Sequence, residues 1–394
     1  PRSTLFPYTT LFRSEDEAFG IATDFEDNIY ITGTTSSQNF PLLRPIHPSI
    51  AGAKDVFITK FNPDGSELIY STYLGGNKDD YALAIAVGET GAAFITGGTM
   101  STNFPYTSIF NNQESGNKGL EEVFVSKVAP SGSSIEFTSL ITTSGNERGN
   151  CISINEKLDA VLIGGQTDNA RFQTKPNSTP YRVFDRYYNS GVDGFLALFG
   201  SNGGMLTFSS FLGGFNDDKI SAVHIEPDGT FFFAGRTSSR VASIAPLTNS
   251  NSSDFPITNL TYDPTFNGEY DGFFGKMDRK CETLLANTYF GGKLVEDFLA
   301  ITKNQKEENI VVTGYTNSPD YPIIKEESNP KVQGLSSILL TVFSIDGLTP
   351  IHSTVLGGFK QDVATSIKFD SDGELYLAGR SEEHTSELQS PNTI

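Results

Sequence analysis

A six-residue run that closes on glycine recurs six times along this 394-residue chain, and no other feature constrains its fold as strongly. The copies are NIYITG (28–33), AAFITG (92–97), AVLIGG (160–165), TFFFAG (230–235), NIVVTG (309–314) and ELYLAG (374–379). Their glycines, Gly33, Gly97, Gly165, Gly235, Gly314 and Gly379, are 64, 68, 70, 79 and 65 residues apart. A second block recurs five times: STYLGG (71–76), a decayed LITTSG (140–145), SSFLGG (209–214), NTYFGG (287–292) and STVLGG (353–358). An aromatic follows the first glycine by seven residues in four units, at Phe40, Phe104, Phe172 and Tyr321. In the fourth unit it is Phe255, delayed by an insertion of 13 residues that also accounts for the long spacing.

Each unit reads as four short strands, in the first unit about 18–24, 28–34, 56–61 and 68–74, rich in β-branched and aromatic residues and too short for ordinary helices. Asp-Gly and related turns join the third strand to the fourth, as at Asp64-Gly65 and Asp346-Gly347, and Asp228-Gly229 joins first to second. A four-stranded sheet of about 65 residues cannot bury both faces alone, and stacking such sheets around an axis solves that. The expectation is an all-β protein: a β-propeller of four-stranded antiparallel blades, about six visible, five full units and a partial one. A linear β-solenoid is the rival.

The stretch NIYITGTTSSQNFP, followed by DVFITKFNPDGSELIYSTYLGGNKDDYALAIAV, resembles the SBBP repeat, a family named for a proposed seven-bladed β-propeller. The resemblance runs over residues 15–379, strongest in the first two units and eroded in the third. It implies large bacterial proteins, secreted or attached to the surface, with no established catalytic residues. The two ends read differently. TLFPYTTLFRS (4–14) and RSEEHTSELQS (380–390) back-translate onto the two partner adapters of a sequencing library. Residues 1–14 and 380–394 are therefore expected to be adapter-derived, with 15–379 a single propeller domain clipped at both ends.

Composition excludes several classes. Lys+Arg 28 against Asp+Glu 47 gives a net charge of -19, and discounting the two ends leaves it unchanged because each sign loses three. So acidic a surface repels nucleic-acid backbones and anionic lipid. No apolar run is long enough to span a membrane. Only Cys151 and Cys281 are present, at non-equivalent positions, so no disulfide framework is expected.

No catalytic, cofactor or metal constellation can be assembled. The four histidines lack metal-ligand spacing, and there is no Gly-x-Ser-x-Gly elbow or phosphate loop. Acidic residues follow the Gly-Gly step at Asp80, Asp218, Asp297 and Asp362, with Glu147 in the decayed unit. One reading is a ring of metal-binding carboxylates; the favoured one is a structural role, each accepting backbone amide hydrogen bonds at the inter-blade turn. One acid per blade would also spread the charges apart. Asp370-Ser371-Asp372-Gly373 looks like the start of a calcium loop but lies between two strands, where a hairpin turn is expected.

Blade topology puts the tight turns on one face and the long loops (35–54, 99–121, 167–191, 236–270, 316–335) on the other. Two of these loops carry dense aromatics, Tyr181, Phe184, Tyr187 and Tyr188 in one, Tyr262, Phe266 and Tyr270 in the other. Tyrosine's flat apolar face and polar tip suit glycan or protein contact, although such rings also pin loops to a blade. The functional expectation is a monomeric, extracellular or cell-surface scaffold binding protein or carbohydrate through the long-loop face. A propeller lyase or glycoside-acting enzyme with a site in the central channel is one alternative, and a purely structural spacer the other.

Overall fold

The computed structural model describes residues 15–111, 120–175, 185–240, 255–258, 261–325, 331–332, 334–346 and 349–382. Blade one is β1 (Asp16–Thr23), β2 (Ile29–Thr35), β3 (Asp55–Phe61) and β4 (Leu68–Leu74). Blade two is β5 (Asp80–Val87), β6 (Ala93–Thr99), β7 (Ser108–Asn111), β8 (Glu122–Val128) and β9 (Ile135–Thr142). Blade three is β10 (Glu147–Asn155), β11 (Ala160–Thr167), β12 (Asp193–Phe199) and β13 (Leu206–Leu212). Blade four is β14 (Asp218–Ile225), β15 (Phe231–Thr237), β16 (Asp271–Met277) and β17 (Leu284–Phe290). Blade five is β18 (Glu296–Asn304), β19 (Asn309–Thr316), β20 (Ser337–Ser344) and β21 (Pro350–Leu356). The sixth blade has only β22 (Asp362–Phe369) and β23 (Leu375–Ser381) among the described residues. The fold is an all-β propeller, as the repeat predicts.

Blade two departs from four strands: β7 adds to its outer edge, parallel to β9. The same device recurs less completely elsewhere. Leu43 bridges Ser71, Lys175 bridges Ser209, Ile324 bridges Ser353, and the Thr258 amide donates to the Asn287 carbonyl at 3.3 Å in blade four, so the long loop of each of these blades runs back along its own outermost strand. That covers an edge which would otherwise present a row of unpaired amides and carbonyls. The recurring aromatic fastens this strap. Phe104 lies 5.0 Å from Phe124, Phe172 4.6 Å from Phe195, and Phe255 5.0 Å from Phe273, ring centre to ring centre.

The first strands follow one another around the axis in the order β1, β5, β10, β14, β18, β22. Each also lies across the second and third strands of the preceding blade, β5 on β2 and β3, β14 on β11 and β12. The middle strands are thereby covered on both sides, and β6, β8 and β12 are buried throughout. Hence the near-continuous apolar runs such as FFFAG, where an alternating pattern would mark a sheet with one wet face. The apolar core divides accordingly into clusters that straddle blade junctions, for example Leu162 and Leu196 of blade three with Phe231 and Phe273 of blade four. At the two ends the faces stay exposed, at Ile21 (63%) and Tyr376 (61%).

Each repeat glycine lies inside strand two, with two further residues pairing beyond it. Opposite each, the first strand carries a β-bulge, between Ala18 and Gly20 in blade one and between Ile220 and Ala222 in blade four. The bulge presses a carbonyl onto the glycine: a Cβ on Gly33 would sit 1.9 Å from the Glu17 oxygen, and one on Gly235 1.9 Å from that of Lys219. Close backbone approach, rather than a turn, requires glycine at these positions.

Candidate functional site

The acidic residue after the Gly-Gly step opens the first strand of blades two to six and is buried there. Asp80 accepts the Gly76 amide at 2.7 Å and the Ser101 hydroxyl at 2.7 Å, and is also bonded by Thr99. Asp218 repeats this with Gly214 at 2.6 Å, Ser239 at 2.9 Å and Thr237. Asp362 accepts the Gly358 amide at 2.8 Å. In blade five the equivalent residue is Glu296, not Asp297: Glu296 accepts from Gly292 at 2.9 Å and Thr316 at 2.6 Å. Asp297 instead faces the Arg236 guanidinium at 3.3 Å. The link there leaves the two acids adjacent, and strand parity turns Glu296 into the junction. In the decayed third blade Glu147 takes the place, accepting from Thr143 at 2.7 Å and Thr167 at 3.0 Å.

Nor is there one acid per blade. A second carboxylate opens the third strand of four blades, at Asp55, Glu122, Asp193 and Asp271, all buried. Asp55 accepts the Ala51 and Gly52 amides at 2.8 and 3.0 Å, and Asp271 those of Asn267 and Gly268 at 2.8 and 3.0 Å. The two acids close on the first glycine of the Gly-Gly step: a Cβ on Gly213 would meet Asp218 at 2.8 Å and Asp193 at 3.0 Å. Burial raises Asp80 to about 6, Glu147, Asp218 and Asp271 to about 7, and Asp193 to about 8, with the neighbouring acid adding to the rise at Asp80, Asp193 and Asp271. Backbone amides and hydroxyls satisfy most of these oxygens, Asp193 Oδ1 and Glu147 Oε2 being buried exceptions, and the pairs bolt each blade to the next. No cluster of three or more potential metal ligands occurs among the described residues.

On the long-loop face, a groove of about 700 Å³ opens between blades three and four. Its lining comes from the second-to-third loops of both blades and from the link between them. Phe215 projects from that link and is 60% exposed. Arg240 is exposed, its guanidinium 5.4 Å from the centre of the Phe266 ring. Asp217 is held by the Val192 amide at 3.0 Å, and the Tyr270 hydroxyl stands 3.5 Å from its other oxygen. The Tyr270 ring lies 4.7 Å under Arg236. Glu269 and Ser238 complete the polar wall.

Comparison with known proteins begins at the first unit. The SBBP family, described as a beta-propeller repeat, matches over residues 13–41. This segment is similar to an SBBP repeat. None of the curated proteins searched matches the chain. Among solved structures it is similar to a glucose dehydrogenase, at 12% identity and a TM-score of 0.40, over 93% of this chain and 94% of that one. It is also similar to BamB from Moraxella catarrhalis, at 12% identity and a TM-score of 0.35, over 92% and 82%. A third is the beta-propeller domain of the Trilobed protease from Pyrococcus furiosus, at 10% identity and a TM-score of 0.38, over 93% and 86%. At such identities the likeness concerns fold alone.

Set out on the SBBP-type unit, the sequence candidates divide. Tyr181 and Phe184 lie outside the described residues. Phe266 lines the groove and Tyr270 stands beside it. Tyr187 is 46% exposed. Tyr188 packs on Phe211 at 6.1 Å and bonds the Gly191 carbonyl, so it secures its loop. Tyr262 packs on Phe290 at 5.9 Å while remaining 48% exposed. Sequence reasoning missed Phe215, Asp217 and Arg240. A signal existed for the first: Phe215 follows a Gly-Gly step where the first unit has Asn77 and the fourth Lys293, and the fifth unit repeats the aromatic as Phe359. Asp370 accepts the Asp372 and Glu374 amides at 2.9 Å each, the geometry of a hairpin turn. No helix among the described residues is long and apolar enough to cross a membrane.

Proposed function

We propose that this chain is an extracellular or cell-surface scaffold that binds carbohydrate in the groove between blades three and four. The observation carrying this reading is the exposed Phe215 facing a wall of Arg240, Asp217 and Glu269. A sugar ring offers an apolar C–H face to an aromatic and a rim of hydroxyls to charged acceptors and donors. Both kinds of partner meet here, on loops braced by a rigid scaffold. The acidic surface suits a neutral ligand better than an anionic polymer. A protein surface is the other partner such a groove suits.

The test is binding of a glycan panel and of extracellular protein fractions to the immobilised chain, comparing parent with Phe215→Ala and Arg240→Ala. Each truncation removes an exposed side chain, so thermal unfolding should stay unchanged while glycan binding falls about tenfold or more. Glycan binding unaffected by both changes refutes the placement. Retention of a protein alone, lost in both variants, moves the groove to a protein partner. The enzymatic alternative draws on the opposite mouth of the channel, where Glu226 bonds His224 at 3.0 Å and Lys303 at 2.5 Å. These three groups are tied to one another, an arrangement that favours structure over proton transfer.

A further inference from the structure

On the tight-turn face, a second cavity of about 310 Å³ opens where the first strands of blades four, five and six end. Bulge register places His224, Thr302 and Lys368 at equivalent positions, each four residues beyond the one that faces the strand-two glycine. The same position in the first three blades holds Ala22, Ala86 and Ser153. One half of the axial ring thus carries small side chains, and the other carries His, Thr and Lys. Lys303 and Lys306 join Lys368 in the cavity wall. Three lysines lining one cavity in a chain of net charge -19 are not a consequence of composition.

The surrounding charges do not cancel them all. Glu226 balances Lys303 at 2.5 Å and also receives His224 at 3.0 Å. Although burial pushes the other way, hydrogen bonds from His224 and Lys303 hold Glu226 at about 2, so it is ionised and fully engaged. Lys306 bonds the Asp372 carbonyl, a contact that satisfies a donor and brings no countercharge. Asp370, the one acid in the cavity wall, is turned to the backbone amides of its own hairpin. No ion pair or hydrogen bond to Lys368 occurs among the described residues. Its side chain is open at the cavity surface, yet surrounding protein atoms displace enough water to lower its pKa.

We propose that this axial cavity binds a small multivalent anion, a phosphate or a polycarboxylate, between the Lys368 and Lys306 ammonium groups. A doubly charged oxyanion offers a countercharge to both lysines at once, which water does not. Thr302 and Gln305, in the same wall, supply neutral donors. A monovalent anion such as acetate bridges the pair poorly, and chloride competes only by screening. The site is separate from the groove on the opposite face.

The experiment is calorimetric titration of the full chain with citrate and, separately, inorganic phosphate at low ionic strength, with acetate as the monovalent control. Citrate or phosphate should bind with one site per chain, and Lys368→Met and Lys306→Met should each weaken binding about tenfold, the loss expected for one charge-assisted contact. Both lysines are exposed, so folding is retained in each variant; unchanged thermal unfolding without ligand verifies it. Phe215→Ala should leave anion binding intact, which separates failure here from failure of the glycan groove. Absence of binding by either anion up to about 10 mM, or binding indifferent to both lysines, overturns the proposal.

Discussion

The acid pairs at the blade junctions make the fold's stability depend on pH in an unusual direction, and Asp193 gives the sharpest test. Its Oδ2 accepts the Asn189 amide at 3.1 Å, while Oδ1 is buried without a hydrogen-bond partner beside Asp218. Burial, with Asp218 adding to it, raises Asp193 to about 8, far above the usual carboxylate range. A group whose folded pKa lies above its unfolded value binds its proton more tightly when folded. Its contribution is therefore fully present below about pH 4 and is lost as pH rises through about 8. Asp193→Asn keeps the acceptor for the Asn189 amide and turns an N–H₂ donor toward Asp218. At about pH 5 the parent acid is protonated, so the variant should match it. At about pH 8.5 the variant is spared a like-charge contact worth about 3 kcal/mol at an effective dielectric near 20. For a chain of this size that is a rise of about 4 °C in thermal midpoint. Scanning calorimetry of both proteins at the two pH values reads the difference directly, and the general self-repulsion of net charge -19 cancels in the subtraction. Asp193→Ala, which abandons the Asn189 amide, should lose stability at both pH values. An Asp193→Asn variant equally destabilised at pH 5 and 8.5 would refute the account of the paired acids.

Two further outcomes follow from packing. Gly235→Ala should destabilise by about 3 kcal/mol in chemical denaturation, because its Cβ meets the Lys219 carbonyl at 1.9 Å and only the backbone can yield. Gly203→Ala, with nothing within 4 Å of the new atom, should be neutral; equal effects at both sites would sink the bulge argument. Phe255→Ala should cost about 3–5 kcal/mol and release the strap of blade four, seen as protease cleavage within that loop, since the ring is 1% exposed and packs on Phe273 and Tyr289. Unaltered proteolysis would show that the strap is held by something else.

Much of the architecture was legible because it is local. Strand length, β-branched and aromatic content, and the Asp-Gly turns are properties of neighbouring residues, and their repetition every 65 or so residues already demands sheets that cover one another's faces. The strap aromatics were legible for the same reason, since Phe40, Phe104 and Phe172 keep one offset from their glycines. Within the candidate groove, Phe266 and Tyr270 were found as a cluster of rings in one loop. Phe215 and Arg240 were not, because they approach from different segments and only the junction of blades three and four sets them together.

What the sequence could not disclose depends on atoms brought together across strands. Gly33 and its counterparts recur without a local reason, and only the bulge opposite shows a carbonyl leaning on each. Glu296 and Asp297 are adjacent and equally acidic, and strand parity sends one into the junction and the other to Arg236. The second acid of each pair, such as Asp193 beside Asp218, stands 25 residues from its partner. A linear pattern records which residues recur. Which of them share a buried volume is settled by how one blade lies against the next, because burial, and the pKa shifts that follow from it, belong to that contact and not to either strand alone.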